Sequence, residues 1–212
     1  RYMTTLYIVR HGESVANHED RLAGNRDMPL SDIGRKQAQC TAAFLQAVPL
    51  EAVYSSDLSR AMETAAILAA PHHLPVFPEP GLREICGGVW EGLTYPEIAA
   101  RYPDEYRVWK ENIGLSHCPG GESALQVQVR VRSAIERIVR RHPEGHLCLV
   151  THGLALRVME AVWAQLPPDK IAAIPFVSNA SVTVVTYDGA VGTLLKRDLH
   201  AHLEGLITNI RY

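Results

Sequence analysis

Three observations predict an α/β fold, a three-layer α/β/α arrangement with a largely parallel central sheet and an antiparallel edge strand. First, two short apolar runs end alike, in Leu6-Tyr7-Ile8-Val9-Arg10-His11-Gly12 and in Leu147-Cys148-Leu149-Val150-Thr151-His152-Gly153. Each reads as a buried strand that turns sharply at its glycine. Second, extended and helical segments alternate along most of the chain, the pattern of helices crossing over a parallel sheet. Third, Asp188-Gly189 lies between two β-prone runs and marks a hairpin, hence antiparallel strands at one edge.

The elements follow in order. After the first strand, residues 21–30 are rich in turn formers and read as a loop. Ser31 is the expected N-cap of a helix reaching about Val48, with a small apolar face of Gly34, Ala38, Thr41, Ala42 and Leu45. Residues 51–55 form a short strand, and Asp57 is expected to cap the next helix, which runs to about Ala70 with Arg60 in its first turn. Val76-Phe77 begins a third extended segment. Residues 82–92, with three glycines, form a loop over the sheet edge. Short helices over about 94–102 and 104–111 are split by Pro103, and residues 118–121 break the chain again. Residues 122–141 form the longest helix, buried through Val127, Val131, Ala134, Ile135 and Ile138. Its arginines (Arg130, Arg132, Arg137, Arg140, Arg141) are expected to be a solvated face rather than a nucleic-acid surface. The second His-Gly strand, a helix over 154–165 and the hairpin of 181–187 with 193–198 complete the chain.

The 212 residues suffice for one sizeable core. We expect a single domain over 1–212 with a small cap or specificity region at about 85–118. A hydrophobic content of 47% and a charged content of 21% are those of an ordinary globular protein. The net charge of −2 argues against a generally basic nucleic-acid or membrane-surface binder, though not against a local basic pocket. No run approaches the roughly 18 apolar residues of a transmembrane helix, and the N-terminus lacks the apolar stretch of a signal peptide. Met3 is the expected natural start, with Arg1-Tyr2 foreign to it. Cys40, Cys86, Cys118 and Cys148 are widely spaced without a CxxC, so reduced thiols in a cytoplasmic protein are expected. Trp163 and the edge hairpin leave room for a homodimer.

In open α/β sheets, ligands bind beyond the C-terminal ends of the strands. If the two His-Gly strands run parallel, both histidines stand at that edge. A helix N-terminus with an arginine in its first turn favours an anion, which places Arg60 with them. Arg10, His11, Arg60, Glu84 and His152 together would form a kit for phosphoryl transfer. Two guanidiniums match phosphate oxygens. An imidazole attacks, and a carboxyl supplies the proton for a leaving group. No Walker A sequence, GxGxxG after a strand or HExxH is present. His72-His73 and His200-Ala201-His202 lack a surrounding ligand set, so neither a metal nor another cofactor is expected.

The run Arg10-His11-Gly12-Glu13 would arise by chance on the order of once per thousand chains of this length. With Ser14 and Asn17, it resembles the signature of the histidine phosphatase superfamily, the phosphoglycerate-mutase-like proteins. The resemblance continues in Gly24 with Asp27, Pro29, Leu30 and Ser31, and in Ser55-Ser56-Asp57-Leu58 with Arg60-Ala61. It extends through Leu82-Arg83-Glu84, Trp90-Glu91-Gly92, Pro119-Gly120-Gly121-Glu122-Ser123 and Thr151-His152-Gly153. These blocks span most of the chain. The resemblance implies a phosphoglycerate-mutase-like fold and His11 as a nucleophile that becomes phosphohistidine. Arg10, Arg60 and His152 would hold the phosphoryl group, with Asn17, Gly24 and the Gly153 backbone in support. Glu84 would protonate the leaving alkoxide, then activate water. For that, Glu84 must begin protonated and His11 unprotonated. The superfamily contains both mutases and phosphatases. The path from Gly92 to Pro119 is short and holds no Arg-Arg pair followed by a proline run. Hydrolysis of a small-molecule phosphomonoester is therefore expected rather than mutase chemistry. The specificity elements should lie around residues 17–24, 85–90 and 95–117, with 200–205 a further candidate.

Overall fold

In the computed structural model, residues 2–208 are described. Arg1, half of the expected foreign start, lies outside them. The strands are β1 (Thr4–Arg10), β2 (Leu50–Ser55), β3 (Val76–Pro78), β4 (Gly145–Thr151), β5 (Val182–Asp188) and β6 (Val191–Leu199). The helices are α1 (Val15–His18), α2 (Asp32–Leu45), α3 (Ser59–Ala69), α4 (Tyr95–Arg101), α5 (Pro103–Glu111), α6 (Ala124–Arg141) and α7 (Gly153–Trp163). The sheet order is β3-β2-β4-β1-β5-β6. The first four strands are mutually parallel, and the β5-β6 hairpin joins antiparallel to β1. The fold is the expected α/β arrangement, with helices on both faces of the sheet.

Side-chain alternation along the strands divides the core between those faces. Leu6, Ile8, Ala52, Tyr54, Leu147 and Leu149 pack on one side with Val127, Val131 and Ile135 of α6 and with Leu154 and Val158 of α7. Val9, Val53, Cys148 and Val150 pack on the other with Ala42 and Leu45 of α2 and with Ala61, Ala65 and Leu68 of α3. Near-continuous apolar runs are what strands covered on both faces require. The first core extends outward through Trp90, Tyr95, Ile98, Trp109 and Ile113, so the segment between the loop of residues 82–92 and α6 packs on the α6-α7 side. Among the described residues, no helix is long and apolar enough to cross a membrane.

Local chemistry accounts for most boundaries. Ser31 accepts the Gly34 N–H to cap α2, as predicted, although the helix ends at Leu45, short of Val48. Capping boxes start α4 (Thr94 with Glu97) and α6 (Ser123 with Gln126). Pro103 opens α5 as its first residue, the one helical position where a missing N–H costs nothing. The four-residue α1, capped reciprocally by Ser14 and Asn17, was not anticipated.

Two expectations are corrected. Asp57 does not cap α3. The cap position is Leu58, which makes no side-chain cap bond. Asp57 instead forms a two-bond ion pair with Arg83, Nε to Oδ1 at 2.6 Å and Nη2 to Oδ2 at 2.6 Å. These bonds hold the Asp57 carboxyl below its usual range. The arginines of α6 are not uniformly solvated either. Arg132 pairs with Glu136 on the helix surface, but Arg130 turns inward onto the loop that carries Glu84.

Candidate active site

The parallel pairing of β1 and β4 sets Arg10 against Thr151. The chains therefore leave the sheet side by side, and the His11 N–H donates to the Thr151 carbonyl at 3.0 Å. The two imidazoles meet edge to face, with ring centroids 4.9 Å apart. The chain then passes close to α2: a Cβ on Gly12 would lie 2.4 Å from the Gly34 carbonyl oxygen.

His11 is nearly closed off, at 3% exposure, yet it lines a cleft that opens to solvent. Its Nδ1 lies 2.6 Å from the carbonyl oxygen of Gly12. A proton on Nδ1 donates to that carbonyl and leaves the Nε2 lone pair available. Burial, then the charges of Arg60 and Arg10, push its pKa well below the usual 6.5. His152 stands behind it, wholly buried, with Nε2 2.7 Å from Ser56 Oγ. Its Nδ1 is buried without a hydrogen-bond partner. Burial and then Arg60 hold its pKa down as well.

Both guanidiniums are buried and line the same cleft. Arg10 Nη1 donates to the Val177 carbonyl at 2.7 Å. Arg60 donates through Nη1 to the Arg26 carbonyl at 2.8 Å and through Nη2 to the Gly24 carbonyl at 2.7 Å. Gly24 thus serves as an anchor for Arg60 as well as a cleft residue, and its φ of +55° suits glycine. Asn17 lines the cleft and accepts from Asn179 Nδ2 at 3.3 Å, while Asn179 also donates to the His11 carbonyl at 3.0 Å. Gly153 begins α7 at the cleft, where a Cβ would come within 3.0 Å of Arg10 Cζ.

Glu84 lines the same cleft, at the N-terminus of α7. Its Oε2 accepts the Leu154 N–H at 3.0 Å, and its Oε1 accepts those of Ala155 and Ile85 at 3.1 and 3.0 Å. The cap residue of α7, His152, makes no side-chain cap bond, so Glu84 caps this helix from a distant part of the chain. The structure therefore gathers Arg10, His11, Asn17, Gly24, Arg60, Glu84 and Gly153 around one cleft, with His152 immediately behind. Leu22, Ile85, Tyr95, Trp109 and Phe176 are among the other residues of the wall. Sequence reasoning missed Ser56, Asn179 and Arg130. Ser56 alone had a signal, as a hydroxyl beside Asp57 at a strand tip.

Among the described residues, no group of three or more His, Cys, Asp or Glu could hold a metal ion. Known proteins carry the same framework. A solved structure, Bacillus stearothermophilus YhfR, is similar with a TM-score of 0.91 and 35% identity, over 94% of this chain and 99% of that one. Phosphoserine phosphatase 1 of Hydrogenobacter thermophilus is 32% identical over 201 residues, 95% of each chain. Phosphoglycerate mutase-like protein 4 of Arabidopsis thaliana is 35% identical over 203 residues, 94% of this chain and 86% of that protein. The family model of the histidine phosphatase superfamily (branch 1) matches residues 6–199, and the chain belongs to that superfamily as a hydrolase of the phosphatase type.

Proposed function

We propose that the enzyme hydrolyses small phosphomonoesters without a metal ion, through a phosphohistidine on His11. One observation carries this reading. The Nδ1 of His11 is tied to its own chain, which leaves Nε2 for the cleft that Arg10, Arg60 and Glu84 also line. A phosphate dianion there would be held by the two guanidiniums and by the Nδ1 of His152. The His11 Nε2 lone pair attacks phosphorus, the ester P–O bond breaks, and the leaving alkoxide takes a proton from Glu84. Water then attacks the phosphohistidine, Glu84 accepts its proton, the P–N bond breaks and phosphate leaves.

The wall favours water over a second anionic substrate. Beyond Arg10 and Arg60, the cation lining the cleft is Arg21, which donates to the Gly92 carbonyl and faces Glu19 and Glu97. The segment of about 85–118 that we assign as the specificity region contributes Ile85, Tyr95 and Trp109 to the wall, all apolar or aromatic. The four free cysteines suit a reducing compartment such as the cytoplasm.

The test is trapping of a phosphoenzyme during turnover with a chelator present. An acid-labile, base-stable label that His11→Ala abolishes is expected. Turnover without such a label would overturn the mechanism, and loss of activity on chelation would overturn the metal-free reading.

A further inference from the structure

We propose that Arg130, on α6 outside the cleft, is a positioning residue for the proton transfer to the leaving group, because it fixes the loop that presents Glu84. The proposal rests on the reading of Glu84 as the acid. Arginine has five N–H donors in a rigid fork, and here all five are used. Nη1 donates to the carbonyls of Gly81 (3.0 Å) and Arg83 (2.7 Å). Nη2 donates to the carbonyl of Glu84 itself (2.7 Å) and to Glu122 Oε1 (2.9 Å). Nε donates to Glu122 Oε2 (2.8 Å). Glu122 Oε1 also accepts the Cys86 N–H at 2.8 Å, which secures the far side of Glu84.

Three carbonyl partners of one guanidinium, those of Gly81, Arg83 and Glu84, therefore lie at or just before the acid, and the Glu122 tie to Cys86 lies just after it. The side chain of Glu84 is oriented by α7 and its backbone by α6. An acid must sit within hydrogen-bond reach of the leaving oxygen, and displacement of about 1 Å suffices to lose that. No other residue joins as many points of this loop among the described bonds. The Arg130–Glu122 pair is itself part-buried, with side chains 25% and 24% exposed, which spares its hydrogen bonds much competition from water.

A role in presenting the acid differs from a role in folding by its dependence on the leaving group. A phosphate ester with a good leaving group, p-nitrophenyl phosphate, needs little proton donation. An alkyl ester such as glycerol 2-phosphate needs it fully. The quantity to compare is kcat/KM, which reports steps through phosphoryl transfer and excludes later hydrolysis of the phosphoenzyme. For Arg130→Gln we expect a loss of roughly 10–100-fold on glycerol 2-phosphate and under about 3-fold on p-nitrophenyl phosphate, a part of the 10²–10⁴ that general acids contribute. Arg130→Lys should not rescue, since a lysine has three donors and no fork. Glu84→Gln is the reference and should show the same selectivity more strongly. Glu122→Gln provides a milder second variant, should Arg130→Gln fail to fold, with the same selectivity expected. Equal losses on both substrates, or none, in the folded variants would overturn the role of Arg130 if Glu84→Gln remains selective. If Glu84→Gln is not selective either, the assignment of the acid falls, and this proposal with it.

Discussion

The Asp27 carboxylate accepts the N–H of Ser59, 32 residues further along the chain, at 2.6 Å. It supplies from the loop before α2 the cap that α3 lacks. The same loop offers the carbonyls of Gly24 and Arg26 to Arg60, in the first turn of that helix. Glu91 ties the loop down in turn, accepting the N–H groups of Asn25 and Gly87, each at 2.8 Å.

Removing the Asp27 carboxylate should therefore act on both stability and function. Asp27→Ala is expected to destabilise the fold by roughly 0.5–2 kcal/mol, the usual loss for a helix cap. It should also raise KM for phosphomonoesters, since Arg60 loses an ordered seat. Urea unfolding and steady-state kinetics on the same preparation would check both.

The two buried imidazoles predict acid sensitivity. His11 and His152 are both held well below 6.5 in the fold, first by burial. Below about pH 6.5 the unfolded chain binds protons that the native state refuses. Stability should thus be full above that pH and decline as pH falls toward the native values. His152→Gln should flatten the decline, measured as urea midpoints between pH 8 and 5. The acid limb of kcat/KM assigned to His11 should likewise fall below pH 6.5.

Ser56 should govern which nitrogen of His152 carries the proton. Its Oγ lies 3.4 Å from the Leu58 N–H, which donates to it, and 2.7 Å from His152 Nε2. With its own proton given to Nε2, it leaves the imidazole proton on Nδ1. Nitrogen NMR of labelled histidine should show one tautomer in wild type and a mixture in Ser56→Ala, with kcat/KM reduced several-fold.

Thiol reactivity should divide the cysteines into two pairs. Burial pushes the Cys148 thiol up to about 12 and raises that of Cys118 as well. Neither should be alkylated in the folded protein, because the thiolate is the reactive form. Cys40 and Cys86, which are partly exposed, should react first. Mass spectrometry after brief iodoacetamide treatment would show the order.

Much of the fold was legible because its signals are local. A strand ending in His-Gly, Asp188-Gly189 between β-prone runs and the 3.6-residue rhythm of α6 each lie within a few residues of chain. The residues gathered at the candidate site were legible for a related reason. His11, His152 and Arg60 stand at element ends, and an element end is visible in sequence. What was hidden depends on distant partners. Asp57 and Asp27 are equally plausible caps by residue type, and only the packing of two loops decides that Asp27 takes α3 while Asp57 takes Arg83. Arg130 looked like its surface neighbours because nothing in its helix announces three carbonyls from residues 81, 83 and 84.

One part of the wall comes from a stretch of chain that carries none of the working parts of the cleft. Tyr95 and Trp109 stand at α4 and α5 and pack with Trp90 and Ile113. Arg10, His11 and Arg60 are fixed by the sheet edge and α3, and Glu84 by α6 and α7. Residues 93–117 can thus diverge in length and composition while the tips of β1 and β4 stay in register. A lineage built on this frame can change its diet of phosphate esters by exchanging one stretch of wall, with the hydrolytic apparatus inherited intact.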